Sequence, residues 1–388
     1  MVTTITPGAR REKPRIALVL QGGGALGAYH MGVYQAMSEA GMLPDWVSGI
    51  SIGALTAGLI VGNSPQERML RLEQFWQEIT IPDDWGALFQ GEARRMFNHM
   101  SHLRTMWFGQ PNFWFNRPVN PSFLPFVPPD MASLCDTSPM LATLNRLVNF
   151  DLLNRGTVRL SLGVTHVRSG ELIFFDNTTQ PAGKPIRADH ILASGSLPPG
   201  FPPIRIDGEL YWDGGCVANT PVEVIFHERK NRPEILVLVE LYNLEGPEPN
   251  SMEAVKQRVK SIRYGDRTLS HLKHIVSDHN LRTHLRDACD RLAKGQVTKA
   301  MQKAVEEHLP RSMDILHLVY HAGPEQVTGS EAEFSRPSIA ERRQAGYKDM
   351  RRLLEKDPLE VGRELRHHPD EIVVHCSRQG NITCHRFI

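Results

Sequence analysis

Asp45-Trp46-Val47-Ser48-Gly49-Ile50-Ser51-Ile52-Gly53-Ala54 reads as a short apolar strand, a sharp turn carrying one serine, and the start of a helix. Within it, Gly49-Ile50-Ser51-Ile52-Gly53 has the Gly-x-Ser-x-Gly spacing of a nucleophile elbow. The spacing has a chemical reason. A serine on a tight strand-to-helix turn is pushed away from the backbone, and the residues two positions to either side must be small. The helix that follows, with Ala54, Ala57 and Gly58, can then pack closely and aim its first N–H groups at developing negative charge. Glycine and serine are common in turns, so the pentapeptide alone does not decide between a catalytic serine and a plain turn.

Just upstream, Arg15-Ile16-Ala17-Leu18-Val19-Leu20 is a buried-strand run, followed by Gln21-Gly22-Gly23-Gly24-Ala25-Leu26-Gly27. A helical pattern with Tyr29, Val33, Ala36 and Met37 toward one face comes next and closes at Gly41. Three consecutive glycines between strand and helix expose successive main-chain N–H groups without Cβ obstruction, which suits an oxyanion hole. A tight turn with no further role is the alternative. Two strand–glycine–helix units in succession favour the functional reading.

A third stretch, Glu209-Leu210-Tyr211-Trp212-Asp213-Gly214-Gly215, is a strand ending in Asp-Gly-Gly. Together the three resemble the patatin-like phospholipase family, which combines a glycine-rich oxyanion loop, a Gly-x-Ser-x-Gly elbow and a general-base aspartate in Asp-Gly-Gly or Asp-Gly-Ala. A fourth, Ala193-Ser194-Gly195-Ser196-Leu197-Pro198, is similar to the family's Ala-Ser-x-x-x-Pro segment. The resemblance implies that Ser51 is the nucleophile, Asp213 the base, and Gly22, Gly23 and Gly24 the oxyanion hole. Gly27, Gly49, Gly53, Gly214 and Gly215 support these motifs. It also implies a Ser–Asp dyad, no metal and no cofactor, and a lipid ester as substrate.

The implied fold is a three-layer α/β/α sandwich with a mostly parallel central sheet, spanning residues 14–245. Residues 1–13 read as a polar tail and 246–388 as a mainly helical C-terminal extension. Parts of that extension, Glu333-Phe334-Ser335-Arg336 among them, resemble the C-terminal region of one bacterial subgroup of the family.

Composition is consistent with this. The 44 basic and 43 acidic residues nearly cancel, so no global charge points to nucleic acid, and 41% hydrophobic residues can fill a substantial core. Five cysteines without C-x-x-C spacing argue against a disulfide framework or zinc site and fit a reducing compartment. Cys216, beside the expected base, reads as a buried structural thiol. Arg10-Arg11 precedes too short an apolar run for a twin-arginine signal. Trp46–Gly62 carries no charge, but it is short and contains the elbow, so it reads as strand plus helix and not as a membrane span. The chain is expected to be cytoplasmic, with peripheral membrane contact as an option; its oligomeric state is open.

Along the chain, Pro65–Ile79 has the pattern of an amphipathic helix. Trp107–Pro129 gathers Trp107, Phe108, Phe113, Trp114, Phe115, Phe123 and Phe126 among six prolines. The aromatics are expected on an irregular excursion, either packed onto the domain or forming a lid or wall of an acyl-binding cleft. Ser138–Phe150 reads as a helix, and Val158–Phe175 as a hairpin through Arg168-Ser169-Gly170. Asp207-Gly208 is a favoured two-residue hairpin turn, so Asp207 has a local explanation that Asp213 lacks. Asn219-Thr220-Pro221 should start a helix, and Ile235–Leu241 is a further buried strand. Lys256–Lys303 reads as largely helical and carries twelve Lys/Arg against four Asp. That excess marks either a solvated face or a surface for anionic lipid. Ile315–Tyr320 reads as a strand, and Ser338-Ile339-Ala340-Glu341 as a capping box opening a helix through Leu354.

Three rival functions compete with this reading. Gly22-x-Gly24-x-x-Gly27 satisfies a dinucleotide fingerprint, yet Asp45 precedes the second strand instead of ending it, and the Ser51 turn occupies that strand's end. An α/β-hydrolase triad would need a late histidine, for which His321, His367, His368 and His375 are candidates, but that fold places several strands before its elbow. His30 reads as a packed or capping residue. A catalytically inactive lipid-binding protein on the same fold is the third, disfavoured by the intact nucleophile, base and glycines.

Overall fold

The computed structural model of the protein describes residues 13–181, 183–228, 233–292, 297–306, 312–366, 370–378 and 381–385. Most of the expected polar tail, together with His367 and His368, lies outside them. The first half runs β1 (Ile16–Leu20), α1 (Ala28–Glu39), β2 (Trp46–Gly49), α2 (Ile52–Val61), α3 (Arg68–Glu78), α4 (Gly91–Phe108), β3 (Phe115–Asn116), β4 (Cys135–Asp136), α5 (Ser138–Leu147), α6 (Phe150–Asn154), β5 (Arg159–His166) and β6 (Leu172–Asp176). There follow α7 (Ala188–Ser194), β7 (Ile204–Ile206), β8 (Glu209–Asp213), α8 (Glu223–His227), β9 (Ile235–Glu240), α9 (Met252–Arg291), α10 (Lys299–Glu306), β10 (Met313–Val319), α11 (Arg336–Glu355), α12 (Pro358–Leu365), β11 (Ile372–Arg378) and β12 (Asn381–His385).

Ten strands form one sheet in the order β12-β11-β10-β9-β1-β2-β5-β8-β7, with β6 pairing β5, and β3 with β4 forms a separate ribbon. The centre is parallel, from β11 through β10, β9, β1 and β2 to β5. Both faces are covered, as the unbroken apolar runs of β1 and β9 require. Leu18, Leu20, Val237, Val239, Leu316 and Leu318 point into one core, which also takes in side chains of α1, α2, α3 and α11. Their neighbours Ala17, Val19, Leu236, Leu238 and Ile315 point into a second, closed by Ile225 of α8 and by Leu272 and Val276 of α9. The result is the α/β/α sandwich.

The Arg168-Ser169-Gly170 hairpin forms between β5 and β6, and the Asp207-Gly208 turn between β7 and β8, with both turn residues at positive φ. Three expectations need correction. The boundary at residue 245 separates no independent unit: β10, β11 and β12 extend the same sheet past β9. Gly346 of α11 also abuts α1, where a Cβ would stand 2.2 Å from the Tyr29 carbonyl oxygen. Helix α11 starts at Arg336, not at Ser338, because Pro337 occupies a first-turn position where its missing N–H costs nothing. Finally, Trp107 and Phe108 are the last residues of α4 and not part of a loop, since the prolines begin only at Pro111. Beyond it the aromatics divide. Phe113 and Trp114 are buried against Phe201 and Phe334, whereas Phe123 and Phe126 face solvent.

Candidate active site

The elbow is built by close approach. Strand β2 ends at Gly49 and α2 begins at Ile52, which leaves Ser51 at φ 56° and ψ −127°. A non-glycine residue held there is strained by about 1–3 kcal/mol and persists only where its surroundings enforce it. A Cβ on Gly53 would stand 2.2 Å from the Leu20 carbonyl oxygen, and one on Gly49 2.3 Å from that of Gly53. No larger residue fits either side. The Ser51 amide is held by Ser194, donating to its carbonyl (2.9 Å) and its hydroxyl (3.2 Å), while Ser194 Oγ donates to the Gly163 carbonyl (2.6 Å). The serine of the Ala-Ser segment thus ties the elbow to β5.

The glycine loop leaves the carboxyl end of the adjacent β1. Gly22 lies against Ser51: a Cβ there would be 3.0 Å from Ser51 Cβ. Its amide donates to the Asn219 carbonyl (3.1 Å), and its carbonyl accepts from Asn219 Nδ2 (2.9 Å). That bond takes up the Gly22 N–H, whereas the N–H groups of Gly23 and Gly24 find no acceptor among the described residues. Gly24 sits at φ +56°, and a Cβ on it would stand 2.2 Å from the Glu331 carbonyl oxygen. Gly27 admits the Ile52 side chain.

Asp213 ends β8 and is 1% exposed. Its Oδ1 accepts the Gly215 amide at 2.7 Å, and the Ser51 side chain lies near enough to the carboxyl to pull its pKa down. Gly214 lets this turn pass the Gly163 carbonyl, 2.6 Å from where a Cβ would stand. Burial pushes the carboxyl up to about 7, against the smaller downward pull of the Gly215 amide and the nearby Ser51 side chain. That shift suits a base: a carboxylate of ordinary acidity accepts a serine proton poorly, and a desolvated one accepts it better.

Several positioning residues escaped the sequence reading. Gln21, which interrupts the apolar run, is buried; its Oε1 accepts the Leu241 amide (2.6 Å) and its Nε2 donates to Thr220 Oγ1 (2.9 Å). It moors the glycine loop to β9 and to the segment after Asp213. Asn219 bridges the same two segments. Arg342, from the supposed extension, donates to the Ala25 carbonyl (3.3 Å) and pairs with buried Glu333 (3.2 Å). A polar residue inside a buried run was the signal for Gln21. Asn219 carried none beyond its nearness to Asp-Gly-Gly, and Arg342 none at all.

Other candidates lie elsewhere. His375 pairs with Asp314 (3.1 Å), and His321 Nδ1 meets the Val319 carbonyl (2.9 Å). His30 is fully buried, and burial alone pulls it down to about 3, so it stays neutral. Cys216 is exposed, contrary to its expected burial; loss of hydration and then the Asp213 charge push its thiol up to about 11. A groove of about 710 Å³ between α1, α3 and α11 contains neither Ser51 nor Asp213.

The fold thus brings together a strained serine, a buried carboxyl near it and a glycine loop packed against the same serine. Sequence comparison agrees. A profile for patatin-like phospholipases matches residues 18–226, more than half of the chain. The chain belongs to that family. A second profile, described as patatin phospholipase, matches 262–364, within the part that extends the patatin sheet. Among curated relatives, a triacylglycerol lipase, SDP1L of Arabidopsis thaliana, is 32% identical over 93 residues, 24% of this chain and 12% of that protein. Lysophospholipase NTE1 of Cryptococcus neoformans is 24% identical over 242 residues, 61% of this chain and again 12% of the relative. This patatin-like chain thus matches only about an eighth of the length of either. Among solved structures, VipD from Legionella pneumophila aligns with a TM-score of 0.38 and 16% identity, over 89% of this chain and 67% of that one.

Proposed function

We propose that this protein is a lipid acyl hydrolase that cleaves carboxyl esters with a Ser51–Asp213 dyad. The observation that carries the reading is a buried Asp213 carboxyl, raised to about 7 by burial, near a serine held at positive φ. In this mechanism Asp213 takes the Ser51 proton as Oγ attacks the ester carbonyl. The N–H groups of Gly23 and Gly24 receive the negative charge on the tetrahedral intermediate. Asp213 returns the proton to the departing alcohol, leaving an acyl-enzyme. Water, deprotonated by the same carboxylate, then attacks the acyl carbonyl, and the fatty acid leaves as Ser51 is regenerated. The dyad needs no histidine and no metal. Phospholipid, lysophospholipid and acylglycerol are all compatible with this chemistry.

The test is labelling by a fluorophosphonate together with hydrolysis of a chromogenic short-chain ester. Wild type should label at Ser51 and turn over the ester, and Ser51→Ala should do neither while keeping its thermal melt. Labelling at another serine would overturn the assignment. A folded wild type that neither labels nor hydrolyses would favour the inactive lipid-binding alternative.

A further inference from the structure

Helix α4 is amphipathic with its faces exchanged. Arg94, Asn98, Ser101 and Thr105, spaced i, i+4, i+7, i+11, are each 5% exposed or less. On the opposite side Met96, Met100 and Trp107 hold the same spacing and are 64%, 57% and 75% exposed, with partly exposed Leu103 between them. Three of the four have partners, and only the Ser101 hydroxyl is left without one. Arg94 donates to Asn98 Oδ1 (2.9 Å) and the Gly86 carbonyl (3.3 Å) and pairs with Glu341 (3.0 Å). Asn98 donates to the Glu325 carbonyl (2.9 Å) and Thr105 to Gln110 (3.1 Å). These bonds fix the helix's rotation, so the apolar stripe cannot turn inward.

We infer that this stripe, together with Phe108, Phe123 and Phe126, docks the protein on a lipid surface that bears little net charge. The inference rests on the lipid-ester reading of the site. Three observations favour lipid as the occupant. The segment that carries Phe123 and Phe126 is tied to the site's own chain: the Leu134 and Cys135 amides donate to the Pro199 and Gly200 carbonyls (3.1 and 2.8 Å). The stretch holding Pro199 and Gly200 begins at Ser194 and Ser196, which hold the Ser51 and Asp213 amides, and Leu197 on it is also exposed. Cations near the patch are already paired: Arg95 with Glu92, Arg104 with Asp83, Arg117 with Asp136 and Arg205 with Asp130. Each of these four cations thus carries its own counter-charge, which leaves them little pull on an anionic partner. Exposed methionine, phenylalanine and tryptophan on a proline-stiffened frame suit an interface with one apolar and one wet side. Docked this way, the membrane would meet the protein beside the site, so a lipid could reach Ser51 without first crossing water.

The test uses the full chain carrying Ser51→Ala, so that vesicles survive, and measures co-flotation with phosphatidylcholine vesicles. Binding should change little between low and high salt. Met100→Glu and Trp107→Glu should each weaken it roughly 10-fold or more, the loss expected when a large apolar side chain no longer leaves water. In active protein the same two changes should spare hydrolysis of a soluble short-chain ester and depress that of vesicle lipid. Unaltered flotation in both variants would overturn the proposal. So would binding that needs anionic lipid and collapses with salt, which would point to the basic face of α9. A concentration-dependent dimer that Trp107→Glu dissociates would instead assign the stripe to a second copy of the chain. Vesicle binding lost with Trp107→Glu in a protein that hydrolyses no ester would keep the docking face and refute only the hydrolase reading.

Discussion

Replacing Asp213 by asparagine should abolish activity and at the same time stabilise the protein, by an amount that depends on pH. The carboxyl is 1% exposed, and burial raises it from an ordinary 3.8 to about 7. That difference corresponds to roughly 4 kcal/mol against the ionised form. The folded protein keeps this proton up to about pH 7, whereas the unfolded chain releases it near 3.8. Between those values the folded state binds more protons, so this group's contribution to stability falls as pH rises. Asparagine cannot ionise and escapes the penalty. Paired thermal melts from pH 4 to 9 should show little advantage for Asp213→Asn at the acid end. The advantage should grow through pH 4–7 and level off above, reaching several degrees for a chain of this length. Other ionisable groups are common to both proteins and cancel in the difference. Wild-type kcat/KM on a soluble ester should rise with pH about a midpoint near 7, because only the carboxylate accepts the serine proton. A stability difference that stays flat or shrinks with pH would refute the reasoning. So would activity already complete at pH 5.

Other expectations follow from the same geometry. Ser51→Ala and Asp213→Asn should lose nearly equal activity and the double variant little more, since a dyad acts as a unit. Alanine at His321, His367, His368 or His375 should leave most of it, and one folded histidine variant as inactive as Ser51→Ala would restore the triad. Gly24→Ala should cut kcat by about 10²-fold or more, with fluorophosphonate labelling slowed in parallel, because the change strains the backbone at positive φ and meets the Glu331 carbonyl. Arg342→Leu should destabilise the fold by about 3–5 kcal/mol by stranding the buried Glu333 carboxylate, as denaturant melts would show. Glu333→Gln should be milder, and both should lower kcat more than they raise KM if the pair steadies the glycine loop.

The local parts of this site were readable from the chain because each is a short-range constraint. Gly49, Ser51 and Gly53 must be spaced as they are for α2 to cross the ends of β1 and β2. An Asp-Gly-Gly after an apolar strand marks a turn that no hairpin explains, unlike Asp207-Gly208. Alternating strands and helices required a parallel sheet, and continuous apolar runs required helices on both of its faces. What could not be read depends on which segments meet. The break at residue 245 is a real change of composition, yet β10 pairs onto β9 and β11 onto β10, because a parallel strand finds its partner across any length of intervening chain. Arg342 is therefore an ordinary helix residue in sequence and a brace for the glycine loop in space. The pKa of Asp213 is likewise a property of the layers that bury it, and nothing in Asp-Gly-Gly states it. Helix α4 is the sharpest case. No helix was expected there, and hydrophobicity alone would turn Met96, Met100 and Trp107 inward. Only the partners waiting for Arg94 and Asn98 in the folded protein decide that they face out.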